Sequence, residues 1–314
     1  MVEQWPFKPF VTGSNPVRPN KKMRNILIIC FLVFSIDGLC KPVQIQYSSG
    51  EILNGFHYTN TESKSIAIIL HGTRGHQNLE LITSLGATLL ENNIDSLSIN
   101  LSYGITNRKN DFLPCDINHK HLQSKSIHEI KYWFNYIKKL NYEKIYLIGH
   151  SRGGLNMMQF YKGLNKADSS LIHAIFLIAP ISDDFHDTRT IMMEKNKIDI
   201  QDLISQETGI IQIDFLNCAN ASVNRKTFLD YYNLDSNNID NSKKPLISLL
   251  QTTTKQTYII TASEDIFVPN TYSRLKQHLP SKKNIELFLI DDADHFFRDF
   301  YFDDLIEILL NLMK

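Results

Sequence analysis

Ser151 stands in the run Gly149-His150-Ser151-Arg152-Gly153, directly after the apolar stretch Lys144-Ile145-Tyr146-Leu147-Ile148 and directly before a helix-like segment from Gly154 to Gly163. A strand that turns at once into a helix forces its corner residue into a strained backbone conformation. Small neighbours such as Gly149 and Gly153 let strand and helix approach each other around it. The corner side chain is then bare above the end of a sheet, beside a helix N-terminus that favours developing negative charge. A serine hydroxyl there is suited to acyl transfer, but at neutral pH it needs a base within hydrogen-bond reach. His295, in Asp294-His295-Phe296-Phe297, is the candidate base. Asp265, in Ser263-Glu264-Asp265-Ile266-Phe267-Val268-Pro269, is the candidate to orient the imidazole and stabilise the imidazolium. The competing structural readings are a tight turn for Ser151, a turn or cap for Asp265, and a surface loop histidine for His295, with Glu264 a neighbouring rival acid.

Elements that would position these residues are legible as alternating patterns. Val43 to Tyr47 and Gly55 to Thr59 read as two short leading strands, antiparallel to each other. Ser65 to Leu70, Ile94 to Asn100, Lys144 to Ile148, Ala174 to Ala179, Thr257 to Ala262 and Asn284 to Ile290 read as further strands. Between them, Leu79 to Glu91 carries Leu81, Ile82, Leu85 and Leu89 at helical spacing, and Leu122 to Leu140 carries Ile127, Ile130, Phe134 and Ile137 on one stripe. Leu101 to His119 is an irregular loop, and Arg298 to Leu312 is a closing helix. Alternation with near-unbroken apolar strands predicts an α/β architecture, a mainly parallel sheet covered on both faces, with the site at the carboxyl ends of its strands. The polar, Asn/Asp-rich segment Ile181 to Thr254 breaks the rhythm, with helical pieces at Asp199 to Ile204 and Thr227 to Asn233. It reads either as a lid over the site or as a loose surface excursion.

Four separated motifs occur in order: His71-Gly72-Thr73-Arg74-Gly75, the Ser151 corner, Asp265-x-x-Val268-Pro269 and Asp294-His295-Phe296. On these the chain, from about Lys64 to its end, resembles the α/β-hydrolase family. The resemblance implies a mainly parallel central sheet flanked by helices in a domain over residues 41–314, with residues 181–254 as a lid insertion. It implies Ser151, Asp265 and His295 as a catalytic triad, with Asp265 favoured over Glu264 because it stands three residues before Val268. It also implies an oxyanion hole from the backbone N–H groups of Arg152 and Thr73, with His71 organising the loop rather than titrating. The reaction implied is hydrolysis of small or medium carboxylic esters through an acyl-enzyme, with no cofactor and no metal. A peptidase, an amidase or a lipase on the same fold stays open, as does a non-catalytic binding protein. Dehalogenase and epoxide-hydrolase relatives attack with a carboxylate where this chain has Ser151.

Composition agrees with one large domain: 43% hydrophobic and 11% aromatic residues, with 33 basic against 33 acidic side chains. Without residues 1–40 the remainder carries a net charge of −3, which does not suggest a nucleic-acid partner. The N-terminus reads as an address. Lys21-Lys22-Met23-Arg24 is a basic region, Ile26 to Ile36 an apolar run of eleven residues, and Gly38-Leu39-Cys40 a small-residue cleavage site. Residues 1–40 are therefore expected to be an N-terminal extension plus signal peptide, cleaved near Cys40 on export to a periplasmic or extracellular compartment. Membrane contact is expected only through that segment if it is uncleaved, and translation is expected to start at Met23 rather than Met1. In an oxidising compartment Cys115 and Cys218 read as a disulfide or as two separate loop thiols. The neighbourhood of Cys115, Asp116, His119 and His121 fits no strong metal spacing, and His186 with Asp183, Asp184 and Asp187 reads as a solvated entrance. Arg74 and Arg152 either flank the mouth, suiting an anionic substrate, or serve the loops. Oligomeric state is not legible.

Overall fold

The computed structural model describes residues 40–47, 49–60, 62–181, 208–236, 245–279 and 282–313, with 197, 202 and 205 as isolated positions. The strands are β1 (Cys40–Gln46), β2 (Ile52–Tyr58), β3 (Ser65–Leu70), β4 (Asp95–Ile99), β5 (Lys144–His150), β6 (Ile172–Ile178), β7 (Ile210–Phe215), β8 (Cys218–Asn224), β9 (Thr257–Ala262) and β10 (Ile285–Ile290). The helices are α1 (Glu80–Glu91), α2 (Gln123–Lys138), α3 (Arg152–Lys162), α4 (Lys166–Leu171), α5 (Arg225–Ser236), α6 (Pro245–Thr252), α7 (Thr271–His278) and α8 (Phe300–Leu312). Eight strands form one sheet in the order β1-β2-β4-β3-β5-β6-β9-β10. β1 pairs antiparallel with β2 and β2 antiparallel with β4; every other pairing in this sheet is parallel.

Strand geometry explains the unbroken apolar runs. Successive side chains of a strand point to opposite faces, and here both faces are covered. On β3, Ile66, Ile68 and Leu70 join a core with α2, α3, α6 and α7, whereas Ala67 and Ile69 join the opposite core with α1 and α8. β5 divides likewise, with Ile145 and Leu147 on one side and Tyr146 and Ile148 on the other. The stripe on α2 is Ile130, Trp133, Phe134 and Ile137, all fully buried. The predicted strands and long helices are thus present with small shifts at their ends. Helices α4, α6 and α7 were not among the expected elements; each has eight residues or fewer, too short for a helical period to stand out.

The insertion has two characters. Ile211, Ile213 and Phe215 alternate inward on β7 and pack with Cys218, Ala221, Val223, Phe228 and Tyr231 into a small core of their own. β7 and β8 form an antiparallel hairpin closed at Leu216-Asn217, both at positive φ (49° and 62°), the turn geometry whose twist matches a hairpin. Helix α6 instead buries Leu246, Leu249 and Leu250 in the main core. The hairpin is tied to the long loop after β4. Cys115 and Cys218 form a disulfide, His119 N–H donates to the Ser222 carbonyl at 2.8 Å, and Asn224 N–H donates to the His119 carbonyl at 2.8 Å. α5 is held on α2, where the Asp230 carboxylate accepts from Ser124 N–H and Oγ–H at 2.8 and 2.5 Å.

Residues 1–39 of the expected N-terminal extension and signal peptide (1–40), most of the expected Asp199–Ile204 helix and the acidic group around His186 lie outside the described residues. Among the described residues no helix is long and apolar enough to cross a membrane.

The disulfide spans a sequence separation of 103 residues. Cross-links of that span typically stabilise by about 2–4 kcal/mol, chiefly by restricting the unfolded chain. The Cys115→Ser/Cys218→Ser variant is expected to lose that amount in urea unfolding relative to the oxidised protein. Equal stabilities would show that the hairpin is held without the bond.

Candidate active site

Ser151 sits between β5 and α3 at φ 55°, ψ −124°, a conformation that an L-residue holds at a cost on the order of 1–3 kcal/mol. Packing enforces it. A Cβ on Gly149 would fall 2.4 Å from the Gly153 carbonyl oxygen, and a Cβ on Gly153 would fall 2.5 Å from that of His71. Ser151 N–H donates to the Ile178 carbonyl at 2.9 Å, and the Ser151 carbonyl accepts from Gly154 N–H at 3.0 Å, so both sides of the corner are anchored.

His295 and Asp265 come together from the ends of β10 and β9. His295 Nδ1 lies 2.6 Å from Asp265 Oδ2, and both residues are buried. The other carboxylate oxygen, Oδ1, accepts from Phe267 N–H at 2.8 Å and Val268 N–H at 2.9 Å. Burial by itself raises the Asp265 pKa. The hydrogen bond and charge of His295, with the two backbone donors, outweigh it and hold the carboxyl below its ordinary value. Glu264 is exposed, and its N–H bonds the Ala293 carbonyl, so the rival acid is on the wrong side of the turn. An ionised Asp265 accepting Nδ1–H leaves the lone pair of His295 on Nε2.

The loop after β3 lies against the serine. A Cβ on Gly72 would approach Ser151 Cβ to 2.9 Å and Oγ to 3.4 Å. His71 is buried; its Nδ1–H donates to the Gly72 carbonyl at 2.8 Å, while its Nε2 accepts from Leu101 N–H at 3.3 Å. Burial, reinforced by the nearby Arg108 guanidinium, pushes the His71 pKa down to about 3, so the ring is a neutral brace. Arg108 adds three charge-assisted bonds, to the carbonyls of Leu101, Asp111 and Gly75, each at 2.7 Å. Thr73 N–H has no hydrogen-bond partner among the described residues.

Both candidate mouth arginines serve the loops. Arg74 donates to the Leu113 carbonyl at 2.7 Å and lies 2.9 Å from Cys115 Sγ. Arg152 donates to Gln123 Oε1 at 2.9 Å and stands over the Tyr231 ring, 5.6 Å from its centroid. Tyr231 Oη in turn lies 3.1 Å from His121 Nε2, which connects the insertion to the serine corner through ring contacts. Cys115 is spent in the disulfide, and among the described residues no group of His, Cys, Asp and Glu is placed to hold a metal. His150, unremarked within its motif by sequence reasoning, places Nε2 2.9 Å from the His295 carbonyl oxygen.

No protein-family model matches the chain, and no curated protein matches it either. Solved structures do. Est1E from Butyrivibrio proteoclasticus with ferulic acid bound superposes with a TM-score of 0.65 at 21% identity, covering 86% of this chain and 97% of that one. The α/β hydrolase GrgF from Penicillium sp. sh18 gives 0.59 at 15%, covering 87% and 96%. This chain has the α/β-hydrolase fold. An esterase domain of a Rhodothermus marinus protein shares it, with a TM-score of 0.56 at 14% identity and coverage of 87% and 97%. Within that α/β-hydrolase fold, Ser151, Asp265 and His295 all occupy the carboxyl ends of parallel strands, the expected place for a ligand site.

A buried acid lies beneath this end of the sheet. Glu129 of α2 accepts from Ser102 N–H at 2.7 Å and from Ser102 Oγ–H. Burial pushes its pKa up to about 7 against the lowering effect of those hydrogen bonds and of the Lys125 charge, with Glu51 adding to the rise. A carboxyl whose folded pKa lies above its unfolded value costs nothing below about pH 4.5. It then destabilises increasingly up to about pH 7. Glu129→Gln is therefore expected to gain stability relative to wild type as pH rises from 5 to 8, by on the order of 1–3 kcal/mol in urea unfolding. A difference independent of pH would mean that Glu129 stays ionised throughout.

Proposed function

We propose that this chain is a serine hydrolase that cleaves carboxylic esters through Ser151, His295 and Asp265. The observation carrying the reading is the 2.6 Å contact of His295 Nδ1 with a buried, doubly backbone-bonded Asp265, at the same sheet end as a strained serine corner. In this reading His295 Nε2 takes the Ser151 hydroxyl proton as Oγ attacks the ester carbonyl. The tetrahedral oxyanion accepts from the N–H groups of Arg152 and Thr73, each such donor contributing about 2.7–4 kcal/mol to related reactions. The proton passes to the departing alkoxide, and the alcohol leaves an acyl-Ser151 ester. Water, deprotonated by His295, then releases the acid and restores the serine. Asp265 stays ionised and holds the tautomer. Esters are preferred over amides on the strength of the esterase-named structures that share the fold. We also propose that the protein acts outside the cytoplasm after loss of its N-terminal segment; the Cys115–Cys218 disulfide supports an oxidising compartment.

A fluorophosphonate probe is expected to label the wild type at Ser151 and to leave Ser151→Ala unlabelled. The same variant is expected to lose about 10⁴-fold or more in kcat on p-nitrophenyl esters. A panel of such esters of increasing chain length, beside aminoacyl anilides, separates esterase from lipase and peptidase. Folded wild type that neither takes the probe nor cleaves any panel member would overturn the proposal.

A further inference from the structure

Two separate mounts hold the proposed base. Asp265 holds the His295 ring through Nδ1, and His150 holds the His295 backbone. A carbonyl oxygen only accepts, so His150 Nε2 carries the proton and donates it across 2.9 Å. The two imidazoles lie with centroids 4.7 Å apart, tilted by 51°. On its other side the His150 ring abuts the loop after β3, since a Cβ on Gly72 would come within 3.4 Å of its Nδ1. One side chain thus touches the base loop and the Gly72 loop and is bonded in sequence to Ser151.

We propose that His150 is a positioning residue that fixes the base loop at catalytic distance from the serine corner. The inference rests on the reading of Ser151 as nucleophile and His295 as base. Asp265 governs the rotation of the imidazole, whereas nothing in that contact governs how far the loop bearing it stands from β5. His150 supplies that second restraint, because it is the last residue of β5 and is clamped by the same strand pairing that anchors Ser151. Burial, followed by the neighbouring His295, drives its pKa down to about 3, so the ring remains a single-proton donor through the neutral range. Misplacing reacting groups by about 1 Å costs on the order of 10²-fold in rate.

Packing and positioning make opposite rankings of two variants. His150→Phe keeps an aromatic ring without the donor; His150→Gln keeps an N–H donor without the ring. The proposal expects His150→Phe to lose about ten- to a hundredfold in kcat and in the fluorophosphonate labelling rate with KM little changed, and His150→Gln to stay within a few-fold of wild type. A purely packing role ranks Phe at or above Gln, and that order overturns the proposal. Wild type that takes no probe overturns the underlying triad reading instead, so the two failures are distinct. Nitrogen-15 NMR of the wild type serves if neither variant folds. A neutral, Nε2-protonated His150 ring from pH 5 to 8 supports the proposal, and an Nδ1-protonated or charged ring ends it.

Discussion

Between Gly149 and Gly153 there is no room for a methyl group, and the rest of the site depends on that contact. The Gly153 backbone sits under the Leu70 and His71 carbonyls, so β3, β5 and the start of α3 meet at the closest approach their backbones permit. Ser151 is caught at the apex, with φ and ψ set by its surroundings rather than by its own preference. The same closeness brings Gly72, in the loop after β3, against the serine side chain. Strain at the corner persists because parallel pairing of β5 with β3 and β6 over-determines it.

Around that corner burial separates the titrating groups by role. His71, His121 and His150 are driven to low pKa, chiefly by loss of water, and remain neutral. They act as directional hydrogen-bonding rings: one braces the Gly72 loop, one meets Tyr231 and one holds the His295 carbonyl. Asp265 resists the same burial because the charge and hydrogen bond of His295 and the backbone N–H groups of Phe267 and Val268, three donors in all, converge on its two oxygens. The outcome is an ionised acid beside an imidazole whose free nitrogen is set by geometry.

The described part of the insertion is tied to the rest of the domain at several points. Its hairpin is bonded covalently to the loop after β4, its helix α5 is anchored on α2, and its Tyr231 meets both His121 and the Arg152 guanidinium. Arg74 and Arg152, which read either as mouth charges or as loop braces, are engaged in holding loops. Polar composition made this segment read as lid or excursion; the alternation of Ile211, Ile213 and Phe215 was the available sign of a strand. It was easy to miss, since a six-residue strand packing only on its own small core leaves a weak periodic signal.

What the sequence by itself determined was local and periodic. Near-continuous apolar runs specified buried parallel strands, the Leu and Ile spacing specified α1 and α2, and Gly149-x-Ser151-x-Gly153 at a strand-to-helix junction specified the corner. Asp265 and His295 stood out as candidates because each lies a few residues past a strand, and the ends of strands are where such a sheet places a ligand site. Tertiary structure alone decided matters that depend on distance between remote segments. It joined Cys115 to Cys218, turned Asp265 inward and Glu264 outward, placed Arg74 and Arg152 on loop partners, and set His150 under the His295 carbonyl. No periodicity encodes these pairings, because each is fixed by where two strands or loops end in space, which the packing of the whole sheet decides.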